Sequence, residues 1–168
     1  LITRADSGIN SVKDLKGKSI SSGSPGSGQY QLLTDLLQVH GMARADVKED
    51  LSSFTQAVDK IKDGNLHATL ITAGVPTSAV TDFAQSHALK VIPLAGPEIA
   101  ELQKQQPYYA SVPLPANTYK GQAAAVPTLA VMAVWTTHDA VPDNVAYEVT
   151  KALYENTAIM GQVHVQGK

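Results

Sequence analysis

The feature that most constrains this chain is a loop rich in glycine and serine between an apolar strand and a helix, in the sequence SISSGSPGSGQY at residues 19–30. Residues 29–39 continue as a helix with leucines on one broad face. Such a loop offers backbone N–H groups, serine hydroxyls and the positive end of a helix dipole in one place. It therefore either binds a carboxylate or a phosphate without a charged side chain, or forms a tight turn in which Ser27 caps the helix.

The order of the glycines excludes several enzyme motifs. Gly23, Gly26 and Gly28 do not follow the G-x-G-x-x-G order of a dinucleotide-binding loop, and no Gly-Lys-Ser/Thr follows them. The G-x-S-x-G pattern of a hydrolase nucleophile is also missing. We therefore do not expect this loop to hold a nucleotide or to carry a serine nucleophile.

Composition narrows the possible functions further. The 168 residues carry a net charge of −2 with 5% aromatic residues, which argues against a nucleic-acid partner. The absence of cysteine excludes thiol catalysis, disulfides and cysteine zinc sites, and the five histidines show no metal-ligand spacing. We expect no catalytic residues, no metal and no cofactor. No apolar run is long enough to cross a bilayer.

Strands and helices alternate along the chain, which is typical of an α/β fold. Predicted strands cover residues 1–4, 18–22, 47–51, 67–72, 90–94 and 128–136. Predicted helices cover residues 29–39, 56–63, 77–87, 97–105 and 142–157, with a shorter helix at 11–17 and a capping box at Ser53 and Gln56. Residues 107–122 are predicted to be irregular.

A second glycine loop, residues 72–77, also follows a predicted strand. Because ligands of open α/β sheets bind beyond the carboxyl ends of strands, the two loops are expected to face one cleft, unless each is an ordinary connection. The candidate anion contacts on the first loop are Ser22, Ser24, Ser27 and Gly28. The candidate opposite wall is Thr72, Gly74, Val75 and Pro76.

Three other side chains invite a functional interpretation. Arg4 has the geometry of a carboxylate clamp, but we expect it to point to solvent. Tyr108 and Tyr109 can stack on a ligand, but packing of their own loop is the favoured interpretation.

Several segments, taken together and in order, resemble the TAXI-type solute-binding proteins of TRAP (tripartite ATP-independent periplasmic) transporters. The more specific segments are GSPGSG at 23–28, TAGVPT at 72–77, YKGQ at 119–122 and VPT at 126–128. The less specific ones are RADSGI at 4–9, VKDLKGK at 12–18, DGNLHA at 63–68 and TKALYEN at 150–156.

This resemblance implies an α/β, type II periplasmic-binding-protein-like fold with one complete lobe plus the hinge strands and the C-terminal part of the other lobe. On that mapping, residues 1–9 form the first hinge crossover, residues 10–125 the second lobe, and residues 126–168 the return crossover and part of the first lobe. Residues 1–4 and 128–134 are expected to lie side by side. The N-terminal part of the first lobe is not in this sequence, so the chain resembles the C-terminal part of such a protein.

The resemblance also implies a function without catalysis. The chain is expected to be a periplasmic or extracytoplasmic receptor for a small anionic solute, a carboxylate such as glutamate, glutamine or a dicarboxylate. Expected partners are the membrane subunits of a TRAP transporter, and the missing N-terminal half-lobe or a second chain that replaces it. One alternative is the ligand-sensing effector domain of a transcription regulator with the same fold. An enzyme is disfavoured, because the porphyrin-precursor transferase of this fold needs a cysteine that carries its cofactor, and this chain has no cysteine.

Overall fold

The computed structural model describes residues 1–163, which include seven strands and six α-helices. The chain divides into a compact unit of residues 1–131 and a second unit that begins at Met132. The strands are β1 Ile2–Arg4, β2 Ser19–Ser21, β3 Lys48–Asp50, β4 Ala68–Thr69, β5 Leu89–Val91, β6 Tyr109–Leu114 and β7 Val126–Val131. The helices are α1 Gly28–Val39, α2 Phe54–Lys62, α3 Ser78–Ser86, α4 Pro97–Gln105, α5 Asp143–Glu155 and α6 Thr157–Val163. The predicted α/β fold is confirmed.

The main sheet of the first unit has five strands in the order β3-β2-β4-β1-β5. Strand β2 runs parallel to both β3 and β4, with Ser21 opposite Asp50 on one side and Thr69 on the other. Parallel neighbours require crossover connections, and α1 and α2 supply them. Strand β1 is antiparallel to β4 and β5. The carboxyl ends of β2, β3 and β4 therefore lie at one edge of the sheet.

Two apolar clusters form the core of this unit. One contains Ile20 together with the leucines of α1, and the other contains Ile2 together with side chains of α2 and α3. The leucine face predicted for α1 is buried, at Leu32, Leu33, Leu36 and Leu37. Each fully buried leucine contributes roughly 1.5–3 kcal/mol of hydrophobic free energy relative to an exposed one.

The segment predicted to be irregular contains a strand. Strand β6 pairs antiparallel with β7 over six residues, with Pro113 opposite Pro127. A proline cannot donate to its partner strand, but every second residue pair of an antiparallel ladder exchanges no hydrogen bond. The carbonyl of Pro127 accepts a 2.9 Å hydrogen bond from the backbone N–H of Leu94, so it points away from β6. The two prolines therefore face each other where neither has to donate.

Residues 1–4 and 128–134 were predicted to lie side by side, and this prediction is wrong. Strand β1 pairs with β4 and β5, whereas β7 pairs with β6 and ends at Val131. The continuation of β5 runs between them, since Ile92 N–H donates to the carbonyl of Leu1 and Leu94 N–H donates to that of Pro127. The division at residues 9/10 and 125/126 stays a prediction.

The second unit contains α5 and α6. The sequence predicted one helix over residues 142–157, but the helix is interrupted at Asn156. No residue of α5 is buried, and Val145 and Val149 on its apolar stripe are 45% and 46% exposed. Within residues 1–163, no helix has both the length and the apolar character that spanning a bilayer requires.

Candidate functional site

Three loops leave the same edge of the main sheet. Residues 51–53 follow β3, residues 22–27 follow β2, and residues 70–77 follow β4. Each loop leads into the N-terminus of a helix, namely α2, α1 and α3. Because each helix N-terminus carries a partial positive charge and unpaired N–H groups, the electrostatic potential at this edge favours an anion.

The first glycine loop has a conformation that depends on glycine. Gly23 and Gly26 have φ angles of +69° and +82°. A Cβ atom on Gly23 would lie 2.6 Å from Oε1 of Gln29, a buried side chain whose amide donates a 3.2 Å hydrogen bond to the carbonyl of Ser21. The glycine thus lets the start of α1 approach the end of β2 closely.

Ser27 forms the predicted N-cap of α1. Its hydroxyl oxygen accepts a 3.1 Å hydrogen bond from the backbone N–H of Tyr30, and its own N–H donates to the carbonyl of Ser24. Within residues 1–163, the backbone N–H groups of Ser24, Gly26 and Gly28 have no acceptor, and all three residues are exposed. The loop therefore presents donors to solvent at the positive end of α1.

The candidate contacts on this loop differ in accessibility. Ser24 and Gly28 are exposed and Ser27 is half-buried, so all three are accessible to a ligand. Ser22 is fully buried, and its hydroxyl lies 3.4 Å from the carbonyl oxygen of Gly23 and 3.4 Å from Oε2 of Glu49. A direct contact of Ser22 with an anion stays a prediction, and it would require this hydroxyl to turn.

A charged pair that the sequence did not predict lies beside this loop. Arg44 donates from Nε to Oε1 of Glu49 at 2.7 Å and from its second amino group to Oε2 of the same carboxylate. The guanidinium carbon stands 3.6 Å from the centroid of the Tyr30 ring, and Nη1 donates to the carbonyl of Tyr30 at 3.0 Å. The sequence carries no signal that pairs Arg44 with Tyr30, because the two residues come together only in the folded chain.

The second glycine loop leaves β4, the parallel neighbour of β2, so both loops start at the same edge of the sheet. That the two loops face one cleft stays a prediction. Thr72 and Pro76 are exposed, whereas Gly74 and Val75 are half-buried. The hydroxyl of Thr77 donates to the carbonyl of Gly74 at 2.8 Å and closes the loop. Whether these residues contact a ligand stays a prediction.

Tyr119 supports the second loop from outside it. Its hydroxyl oxygen accepts a 3.0 Å hydrogen bond from the backbone N–H of Thr77. Gln122 in turn fixes the segment that carries Tyr119, because its buried amide donates to the carbonyls of Pro115 and Ala124 at 2.9 and 2.8 Å. The sequence motif YKGQ at 119–122 thus has a structural role next to the candidate site.

The loop after β3 was not predicted to belong to the site. The hydroxyl of Ser21 donates to the carbonyl of Ser52 at 3.0 Å, which ties this loop to the end of β2. Ser53 and Gln56 form the predicted capping box of α2. Burial raises the pKa of Asp50, but hydrogen bonds from Lys60 and Ser52 outweigh burial and hold it below the usual value. The capping box was the available sequence signal, since it marks a helix N-terminus at a strand's carboxyl end.

The remaining candidates lie elsewhere. Arg4 is at the opposite edge of the sheet, where it forms an ion pair with Asp6 at 2.6 Å. Tyr108 is half exposed, whereas Tyr109 is buried and donates to Asp35 at 2.8 Å. Within residues 1–163, no group of three histidine, aspartate or glutamate side chains is arranged to hold a metal ion.

Comparison with known proteins supplies a family and a fold. The sequence profile of the NMT1-like family matches residues 1–168. The alkanesulfonate-binding protein SsuA from Xanthomonas axonopodis pv. citri, solved bound to MOPS, matches with a TM-score of 0.52 and 15% identity over 98% of this chain and 45% of that protein. The periplasmic aliphatic sulphonate binding protein SsuA from Escherichia coli matches with a TM-score of 0.46 and 22% identity over 54% of this chain and 28% of that protein. The chain thus spans less than half the length of either protein. The match to the Xanthomonas protein shows the predicted periplasmic-binding-protein-like fold.

Proposed function

The chain belongs to the NMT1-like family, and on that basis we propose that it is part of an extracytoplasmic solute-binding receptor that captures a small organic anion. The anion is held at the edge where the loops after β2, β3 and β4 meet. The observation that carries this proposal is the run of open backbone donors at Ser24, Gly26 and Gly28, directly before α1.

Hydrogen-bonding geometry supports an anion rather than a neutral ligand. Backbone N–H groups and the hydroxyls of Ser24 and Ser27 are donors, and the positive end of α1 favours negative charge. The donors belong to a loop that the N-cap of Ser27 ties to the start of α1, which lowers the conformational entropy lost on binding.

We propose a small carboxylate, such as an amino acid or a dicarboxylate, as the ligand. The resemblance of the glycine loops to TAXI-type proteins supports the carboxylate and a TRAP transporter as the partner. The fold match to a protein bound to MOPS makes a sulfonate the competing headgroup. Both headgroups present several oxygens to a ring of donors, so a titration has to separate them.

The receptor acts by closure around the ligand. A second lobe covers the ligand from the side opposite the loops, and the bound anion then favours the closed conformation because it contacts both lobes. The covering lobe comes from another part of a longer polypeptide or from a second chain. The closed form delivers the anion to membrane subunits of a transporter.

Nuclear magnetic resonance titration tests the site directly. We expect L-glutamate or 2-oxoglutarate, added to the ¹⁵N-labelled natural protein at its full length, to shift the amide signals of Gly26 and Gly28 in a saturable way. A matched titration with MOPS tests the sulfonate, and sodium chloride at equal ionic strength is the control. Saturable shifts with MOPS alone would replace the carboxylate by a sulfonate. Unchanged loop signals with every organic anion would disprove the site.

A further inference from the structure

The carboxylate of Glu49 lies in an unfavourable place for an anion site. Its Oε2 atom is 3.4 Å from the hydroxyl of Ser22, the first residue of the glycine loop. An uncompensated negative charge there would repel an anion held by the adjacent loop. At effective dielectric constants between water and a protein surface, this repulsion is on the order of tenfold in affinity.

Arg44 compensates that charge in a fixed geometry. Its guanidinium donates to both oxygens of Glu49, and the side chains of the pair are only 21% and 26% exposed. A planar fork that contacts both carboxylate oxygens is specific to arginine, because a lysine ammonium cannot form it.

The orientation of Arg44 is set by the first turns of α1. The guanidinium stacks over the ring of Tyr30, donates to the carbonyl of Tyr30, and also donates to the hydroxyl of Thr34 at 2.5 Å. These contacts come from the helix whose N-terminus forms the candidate anion site. The cation is therefore attached to the same element that presents the donors.

We propose that Arg44 is a positioning residue for anion affinity, and that it acts by neutralising Glu49 beside the glycine loop rather than by touching the anion. This inference rests on the proposed function. The affinity of this edge for an anion then depends on the balance between the charges of Arg44 and Glu49 as well as on the backbone donors.

The test compares the anion affinity of four variants with that of the natural protein at its full length. Arg44→Met is expected to weaken binding of the titrated anion on the order of tenfold, because Glu49 loses its counter-charge. Glu49→Gln alone is expected to strengthen binding several-fold, because the charge of Arg44 is then uncompensated. The double variant Arg44→Met/Glu49→Gln is expected to bind within about twofold of the unsubstituted protein. Arg4→Met is the matched control, because it removes an arginine from an ion pair at the opposite edge of the sheet.

The double variant separates electrostatics from structure. If Arg44 only packs Tyr30, Glu49→Gln does not restore the affinity that Arg44→Met loses, and the inference is wrong. Circular dichroism shows whether Arg44→Met folds. If it does not fold, Glu49→Gln alone decides, because an unchanged or weaker anion affinity of Glu49→Gln contradicts the proposed charge balance. If the unsubstituted protein binds no organic anion, the proposed function fails and this inference fails with it. If the unsubstituted protein binds the anion but the variants bind it with unchanged affinity, this inference is wrong and the proposed function stands.

Discussion

The hydroxyl of Tyr109 donates a 2.8 Å hydrogen bond to Oδ2 of Asp35 and joins β6 to α1. Both residues are buried, with 5% and 6% of their surface exposed. The other oxygen of the carboxylate accepts a 2.7 Å hydrogen bond from the amide of Gln31. A buried carboxylate is thus satisfied by two neutral donors, one of which lies 74 residues away in the chain.

Removing the Tyr109 hydroxyl is expected to destabilise the fold. Tyr109→Phe leaves Oδ2 of Asp35 buried without its donor, which costs about 1–3 kcal/mol of unfolding free energy. The control is Tyr154→Phe, because Tyr154 is 79% exposed. Urea denaturation measures both. Equal stability of the two variants would show that the Asp35 carboxylate finds another donor or water.

The hydrogen bond between Tyr109 and Asp35 also predicts that the stability of the fold falls at alkaline pH. Burial and the nearby Asp35 carboxylate raise the pKa of Tyr109 far above its usual value of 10.0. A group with a raised pKa in the folded state stabilises fully below its unfolded pKa and loses that contribution as the pH rises toward its folded pKa. Above pH 10, the unfolding free energy of the unsubstituted chain should therefore fall more steeply than that of Tyr109→Phe. Parallel curves of unfolding free energy against pH would contradict this.

Two glycines of the first loop separate backbone strain from side-chain crowding. Gly23→Ala and Gly26→Ala both place a side chain at positive φ, which costs about 1–2 kcal/mol. Only position 23 also brings a Cβ within 2.6 Å of the Gln29 amide, whereas position 26 has open space. We expect Gly23→Ala to cost about 1 kcal/mol more, because Gln29 loses its hydrogen bond to Ser21.

Thermal and urea unfolding measure that difference. In a Gln29→Ala background the contact with Gln29 is removed and Oγ of Ser27, at 3.2 Å, is the remaining close atom, so most of the difference between the two alanine variants should disappear. A persistent difference would mean that Gly23 is required for a reason other than Gln29.

Negative charge at the N-cap of α1 is expected to block the anion. Ser27→Asp keeps a side-chain oxygen for the Tyr30 N–H, so the helix remains capped. The added carboxylate should lower the affinity for the titrated anion on the order of tenfold. Ser7→Asp is the control, because Ser7 also accepts from a backbone N–H, that of Ile9, near the opposite edge. Calorimetry on the natural full-length protein measures the affinities, and equal affinities of the two variants would argue against an anion at this N-terminus.

The apolar stripe of α5 is expected to drive self-association of the 168-residue chain. Val145 and Val149 are nearly half exposed, and the second unit also exposes Trp135 at 73% and Tyr154 at 79%. Exposed apolar patches of this kind mark contacts with another surface. We expect light scattering to show association that Val145→Lys/Val149→Lys reduces. Asn144→Lys/Thr150→Lys adds the same charge to the same helix and should reduce it less. A monomeric unsubstituted chain would contradict the prediction.

Sequence patterns located most elements of the first unit because local chemistry defines them. Ser27 and Ser53 are N-caps as predicted, and the leucines of α1 are buried as predicted. That the two glycine loops start at the same edge of the sheet follows from the parallel pairing of β2 and β4, which alternating strands and helices predict. These features depend on residues close together in the chain.

The failures concern long-range partners. Strand β6 was missed because Pro113 cannot donate a hydrogen bond to a partner strand, and no local signal shows that it lies in a residue pair that exchanges none. Likewise, the contact of Ser22 with Glu49 and the hydrogen bond from Thr77 to Tyr119 join residues that are far apart in the chain. The candidate donors could thus be predicted from sequence, whereas the charges and hydrogen bonds around them could not.

The position of β1 also fixes an order of events during synthesis. Strand β1 is translated before β4 and β5, yet it lies between them in the sheet. Residues 2–4 therefore stay without these two partners until residues 68–69 and 89–91 have been translated. Strand β2 waits for a shorter stretch of chain, because its neighbour β3 is the next strand to follow after α1. The nascent chain can pair β2 with β3 first and close the sheet around β1 only afterwards.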